Sequence, residues 1–448
     1  MTFHEFKSLV IAACEDAGIT EYELYYQAGT SVNVGVFQHS VNEFTSSTSG
    51  GVCFRCIHQG KMGYASTEDL SAEQAKLIVA KAAEAADYLE SEEEVFLGEG
   101  GQVYEELNIQ PYELPSTEEL IHTALATQEK LYAADPAVID GCQTQCFSEQ
   151  AKIAIYNSKG LDLQYSNNAS GLITVGVVSN GTEMANDVKF KLGKLDTIDA
   201  DEMVKKVVEN AKIQLGGDVA PTGQYPVVFS PEAMCSLLQV FSSIFSSEAA
   251  QKGLSQLADK EGSVIAAPIV TLVDDPFHKD NPEPINFDAE GSPTHKKNII
   301  EKGVLNTLLY NLKTAAVAGK KTTGNASKAG YSADVAVRPF TMYLDNGDKT
   351  VEELYNLAEG GVCITDLQGL HSGANPISGD FSLQSSGFML KDGKRAEYVK
   401  SFTVAGNFYD VLKNIDAIAN DCTLPMAMGM TTFGSPSVLV KDLTIAGK

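Results

Sequence analysis

Two stretches of this sequence bring together side chains that could do chemistry. Asp274-Asp275-Pro-Phe-His278, with His295 downstream, sets two carboxylates beside imidazoles, a combination that can bind a divalent ion or shuttle a proton. The same pattern suits an acidic loop that closes a strand, with the Asp side chains accepting from exposed amides, and this plainer reading is favoured. Gly369-Leu-His-Ser-Gly-Ala-Asn-Pro-Ile-Ser-Gly-Asp-Phe-Ser382 places Gly369, Gly373, Gly379 and Asp380 in one loop, which suggests backbone lying close to a bound peptide or to another strand. Familiar catalytic signatures are absent: the chain has no G-x-S-x-G, no H-E-x-x-H and no G-x-G-x-x-G after a strand. Gly319-Lys-Lys-Thr-Thr-Gly324 begins like a phosphate loop, but Asn325 stands where a lysine must reach the phosphates.

The elements that must carry these residues fall into three blocks, and the pattern predicts an α+β protein. Residues 1–98 open with an amphipathic helix over Thr2–Ala17, followed by strands at 21–27, 31–37 and 51–58 and a Ser71-capped helix. Residues 99–218 begin with the capping box Ser116-Thr-Glu-Glu119 and repeat the order of helix, strands and helix, with strands at 137–147, 152–157, 162–166, 172–178 and 186–191. The echo raises the possibility of an internal duplication. Residues 219–448 change texture: a helix from Pro231 to Glu248 precedes Gly- and Asn-punctuated strands, as expected for a larger, mainly antiparallel domain. The acidic, glycine-containing stretch 90–106 and Gly216–Gly223 are the boundary candidates.

Lys+Arg 33 against Asp+Glu 59 gives a net charge of −26, so phosphate backbones are repelled and direct nucleic-acid binding is disfavoured. Basic or neutral peptides fit such a surface better. The longest apolar run near the N-terminus, Leu9–Ala13, is too short for a signal peptide or a membrane span, and the expected location is the cytoplasm. Of eight cysteines, Cys53 and Cys56 form a C-x-x-C, but on a strand those two positions face opposite ways and cannot share a metal. All eight are expected to be buried, reduced thiols.

Several motifs of the C-terminal block, in order, resemble the TldD/TldE (PmbA) metalloprotease family, once called modulators of DNA gyrase. They are Val273-Asp-Asp275, Phe287-Asp-Ala-Glu-Gly291, Asn298-Ile-Ile-Glu-Lys-Gly-Val-Leu305, Ser378-Gly-Asp-Phe-Ser382, Val404-Ala-Gly-Asn407, Asn420-Asp421 and the terminal Leu443-Thr-Ile-Ala-Gly447. Gly63-Tyr-Ala-Ser-Thr-Glu-Asp-Leu70 extends the resemblance into the first block.

The resemblance implies two subunit types that together degrade peptides with zinc. The TldD-type subunit carries H-E-x-x-x-H on a helix and a late cysteine. An ungapped count back from Val273 puts Leu238, Gln239 and Ser243 at the His, Glu and His positions, and none of these can do zinc chemistry. Cys422 falls before the stretch in which the family's ligand cysteine occurs. This chain therefore resembles the TldE/PmbA type. It is expected to hold no cofactor of its own, with zinc in a TldD-type partner, and to line the path of an extended peptide; alone it could form a homodimer. Two other readings stay open. One is a regulatory protein that binds gyrase or a toxin–antitoxin protein, and the other is an independent hydrolase built around Asp274, Asp275 and His278.

Overall fold

The computed structural model describes residues 1–90, 95–107, 112–428 and 431–448. The fold is α+β, as expected. Part of the first expected boundary, residues 91–94, lies outside the described residues.

The N-terminal half is one six-stranded antiparallel sheet. In chain order it contains α1 (Phe3–Ala17), β1 (Glu21–Phe37), β2 (Ser40–His58), β3 (Lys61–Thr67), α2 (Ala72–Asp87), α3 (Thr117–Ala134), β4 (Gln143–Asn157), β5 (Asp162–Ser179), β6 (Met184–Leu192) and α4 (Ala200–Ile213). The strand order β3-β2-β1-β4-β5-β6 is symmetric about its middle, the first strand of each half lying innermost and the third outermost. Each half is helix, three strands, helix, and the halves meet where β1 pairs β4 from Glu23–Asn157 to Phe37–Gln143. This is the arrangement an internal duplication leaves. Cys53 and Cys56 do point to opposite faces: Cys56 packs with Phe6, Val10 and Ile78 under α1 and α2, while Cys53 packs with Tyr25, Ile155 and Phe287.

The strands are longer than their apolar pattern suggests. The expected pieces at 21–27 and 31–37 are one strand, 162–166 and 172–178 are another, and β2 starts eleven residues before Gly51, at Ser40. Residues 40–49 are all exposed, so no buried face imposes an alternating pattern; the ladder to β1, from Gly29–Ser49 to Val34–Phe44, holds them extended. The expected strand at 137–147 begins only at Gln143, and the expected helix to Glu248 ends at Phe241.

From Asp218 onward lie a seven-stranded and a six-stranded sheet. In the seven-stranded one, strand 223–229 pairs with 438–446 and 362–368, and 380–391 joins 394–407. Val404 opposite Ile445 closes this sheet on itself. A six-stranded sheet, built on 272–274, 297–301, 341–344 and 431–435, packs with the first around one large core.

A buried polar network joins the N-terminal sheet to this body. Arg55 Nε donates to Glu23 Oε1 at 2.8 Å, Arg55 Nη1 lies 3.9 Å from Glu290 Oε1, and Asn157 Nδ2 donates to the Gly98 carbonyl. Tyr104 and Tyr331 bridge the same seam, donating to the Gly291 carbonyl and to Glu68.

Candidate functional site

Helix α5 (Pro231–Phe241) starts where Ser230 caps the Ala233 amide and Pro231 fixes the first turn. Its stripe of Ala233, Met234, Leu237, Leu238 and Phe241 is buried, with the Phe241 ring stacked on Phe408 at 4.5 Å. The chain continues through a tight turn at Ser242–Phe245 into α6 (Ser247–Gln251). The outer side of these elements forms one wall of a groove of about 500 Å³, in which Gln239 and Ser243 face Arg338, Pro339, Thr431 and Phe433.

Of the positions expected to match a zinc motif, Leu238 is fully buried in the core, Gln239 is half-buried and Ser243 is exposed; the latter two line the groove. One apolar side chain and two neutral oxygens are a donor set that does not fit zinc. Among the described residues, no three His, Cys, Asp or Glu side chains gather as a metal site.

The acidic cluster is tied into the structure around it. Asp274 is completely buried, and its Oδ1 accepts from the amides of Phe340 (2.9 Å) and Thr341 (3.0 Å). Its Oδ2 accepts from Asn325 Nδ2 (2.8 Å) and pairs with Lys297 (3.2 Å). Asp275 caps the Phe277 amide and pairs with Lys296, while His278 Nδ1 accepts from the Asp280 amide. The three side chains thus turn to separate partners. Asp274 fixes the segment carrying the far wall of the groove. There Asn325 brackets Arg338, accepting from its amide and donating to its carbonyl, and Thr431 Oγ1 donates to the Pro339 carbonyl at 2.8 Å.

The loop from Gly369 to Asp380 lies next along the chain surface. Gln256, two residues beyond the groove-lining Leu254, donates through Nε2 to the Ser378 carbonyl at 2.9 Å. Asn407 Nδ2 donates to that carbonyl and to Asp380 Oδ1, holding the Asp380 carboxyl below its usual range together with Ser378. Gly379 has φ +86°, and a Cβ there would sit 2.4 Å from the Tyr409 ring; at Gly373 it would meet the Ser382 carbonyl at 2.5 Å. These two glycines are required by the loop's own packing, whatever lies outside it. Gly369, also left-handed at φ +76°, starts the short helix Leu370–Gly373.

Sequence reasoning did not single out Arg338 or the groove. A usable signal was present, since arginine occurs only at 55, 338 and 395.

Fold and groove together define an α+β protein with a six-stranded N-terminal sheet of two similar halves and a groove of about 500 Å³ on its C-terminal body. The PmbA/TldA metallopeptidase C-terminal domain matches residues 222–447, the family's domain 1 matches 22–86 and its central domain 110–215. The chain belongs to the PmbA/TldD metallopeptidase family. A metalloprotease of Methanothermobacter thermautotrophicus is 26% identical over 440 residues, covering 94% of each chain. A metalloprotease PmbA homologue of Haemophilus influenzae is 25% identical, covering 88% of this chain and 86% of its own. Among solved structures, a Thermotoga maritima protein described as a modulator of DNA gyrase superposes with TM-score 0.89 at 29% identity, covering 99% of this chain and all of that one. TldE of Thermococcus kodakarensis shares the fold, with TM-score 0.88 at 23% identity and coverage of 98% and 99%.

Proposed function

We propose that the chain is the non-catalytic, TldE/PmbA-like subunit of a TldD/TldE-type zinc peptidase of the cytoplasm. A TldD-type partner supplies the metal, and this chain lines part of the path of an unfolded peptide. The observation that carries the reading is the contrast along α5 and the turn after it: Gln239 and Ser243 face a formed groove, yet they supply neither a base nor a zinc ligand. The far wall is fixed by the buried Asp274, and the Gly369–Asp380 loop extends the same surface. A preformed groove holds an extended chain at a lower entropic cost than one that must order on binding.

The test is to quantify zinc in the purified chain, alone and co-purified with a TldD-type subunit, while assaying cleavage of casein. Zinc and cleavage that appear only with the partner, and exceed what the partner does alone, support the proposal. Stoichiometric zinc with cleavage by the lone chain overturns it, as does a partner whose cleavage this chain leaves unchanged.

A further inference from the structure

Thirty-three basic residues include three arginines, leaving 33 − 3 = 30 lysines. Two of the arginines are engaged: Arg55 in its ion pair with Glu23, and Arg395, which donates Nε to the Tyr355 hydroxyl at 2.8 Å and lies over the Tyr355 and Phe388 rings. Arg338 is exposed in the groove, and its guanidinium makes no hydrogen bond or ion pair among the described residues, although its backbone is bracketed by Asn325. The Gln239 carboxamide and the Ser243 hydroxyl line the same groove and likewise lack side-chain partners there. Glu248, the acid of the groove, is paired with Lys252 at 2.6 Å. Phe433, Pro339 and Leu254 add apolar wall.

We propose that Arg338 anchors the C-terminal carboxylate of a peptide whose last side chains lie against Phe433 and Pro339. A planar guanidinium held on a fixed backbone matches a carboxylate with two parallel hydrogen bonds. A volume of about 500 Å³ suits the end of a peptide, being in the range that takes a small ligand. The net charge of −26 disfavours peptides rich in Asp and Glu, whereas a single terminal carboxylate on a neutral or basic peptide meets little repulsion. The proposal names the end of the peptide that enters this groove, and so rests on the peptide-handling reading above.

The experiment is fluorescence anisotropy with a labelled, short neutral peptide ending in leucine, prepared as free acid, as C-terminal amide, and as an amide with one internal Asp. Both the chain and its complex with a TldD-type subunit are titrated. The free acid is expected to bind about tenfold or more tightly than either amide. Arg338→Gln should bring the acid to the level of the amide and leave the amide unchanged, and Arg338→Lys should fall between. Thermal melting of Arg338→Gln should match the parent, because the replaced side chain holds nothing. Equal binding of acid and amide, equal weakening of both by Arg338→Gln, acid-like binding of the Asp-containing amide, or no binding of the acid overturns the proposal. Casein cleavage by the complex separates the two readings. Stimulation that persists without any carboxylate preference sinks only the anchor. Arg338-dependent binding without stimulation sinks only the accessory-subunit role.

Discussion

Glu23 and Arg55 stand directly opposite each other on β1 and β2, 2% and 6% exposed, with Arg55 Nε donating to Glu23 Oε1 at 2.8 Å. Glu290 approaches the same guanidinium from the C-terminal body, so the ion pair of one sheet is also its joint to the next. Removing Arg55 leaves two buried carboxylates without their cation, and removing Glu23 leaves the guanidinium only the 3.9 Å contact with Glu290. Glu23→Gln or Arg55→Met should each cost about 3–5 kcal/mol in urea denaturation, and the double variant should lose less than the sum. Single losses below about 1 kcal/mol would mean that water reaches the seam.

Stability should also carry a pH signature from Asp288. Burial, reinforced by the neighbouring Glu290, raises its carboxyl to about 7, against three backbone amides that favour the ionised form. The folded state therefore keeps a proton that the unfolded chain releases near pH 4. This contribution is fully present below about pH 4 and is lost as pH rises towards 7. Asp288→Asn forfeits a hydrogen bond at every pH, yet it should flatten the slope of unfolding free energy between pH 5 and 8. An unchanged slope would assign the titration to another group.

The inner side of α5 should bear on stability more than on ligand binding. Phe241 is fully buried, stacked on Phe408 and edge-on to Phe381 at 6.2 Å. Phe241→Ala should cost about 3–5 kcal/mol by calorimetry or denaturant titration. A loss below about 1 kcal/mol would show that the core collapses around the gap.

The thiols should be slow to alkylate. Seven of the eight are buried and Cys422 is half-buried. Burial pushes Cys14 and Cys146 up to about 12 and Cys422 up to about 11, so hardly any thiolate exists at neutral pH. With iodoacetamide at pH 7.5, mass spectrometry should find Cys422 modified first and the others only after denaturant is added. Rapid labelling of Cys53 or Cys235 in the native chain would contradict this packing.

What could be read in advance follows from where each signal lives. Capped helices announced themselves: Ser71, Ser116 and Asp199 each accept from the amide three residues on. Strand residues 40–49 did not, because a ladder with no buried face leaves no mark on side-chain choice. Asp274 was visible as a carboxylate in an acidic turn, but its partners Phe340, Thr341 and Asn325 lie 51 to 67 residues away. The groove was invisible for the same reason, since its walls come from residues 239–254, 337–339 and 431–433.

The mirror-like strand order has a consequence for any attempt to divide the molecule. β1 and β4 are the innermost strands of the sheet, paired over fifteen positions, so cutting between the two repeats would bare a fifteen-position ladder rather than a loop. A fragment made from either repeat would carry an open, strand-length template along one side, and another copy of the same fragment could fill it. The two halves fold as one sheet, and a fragment of either half is expected in pairs or in aggregates.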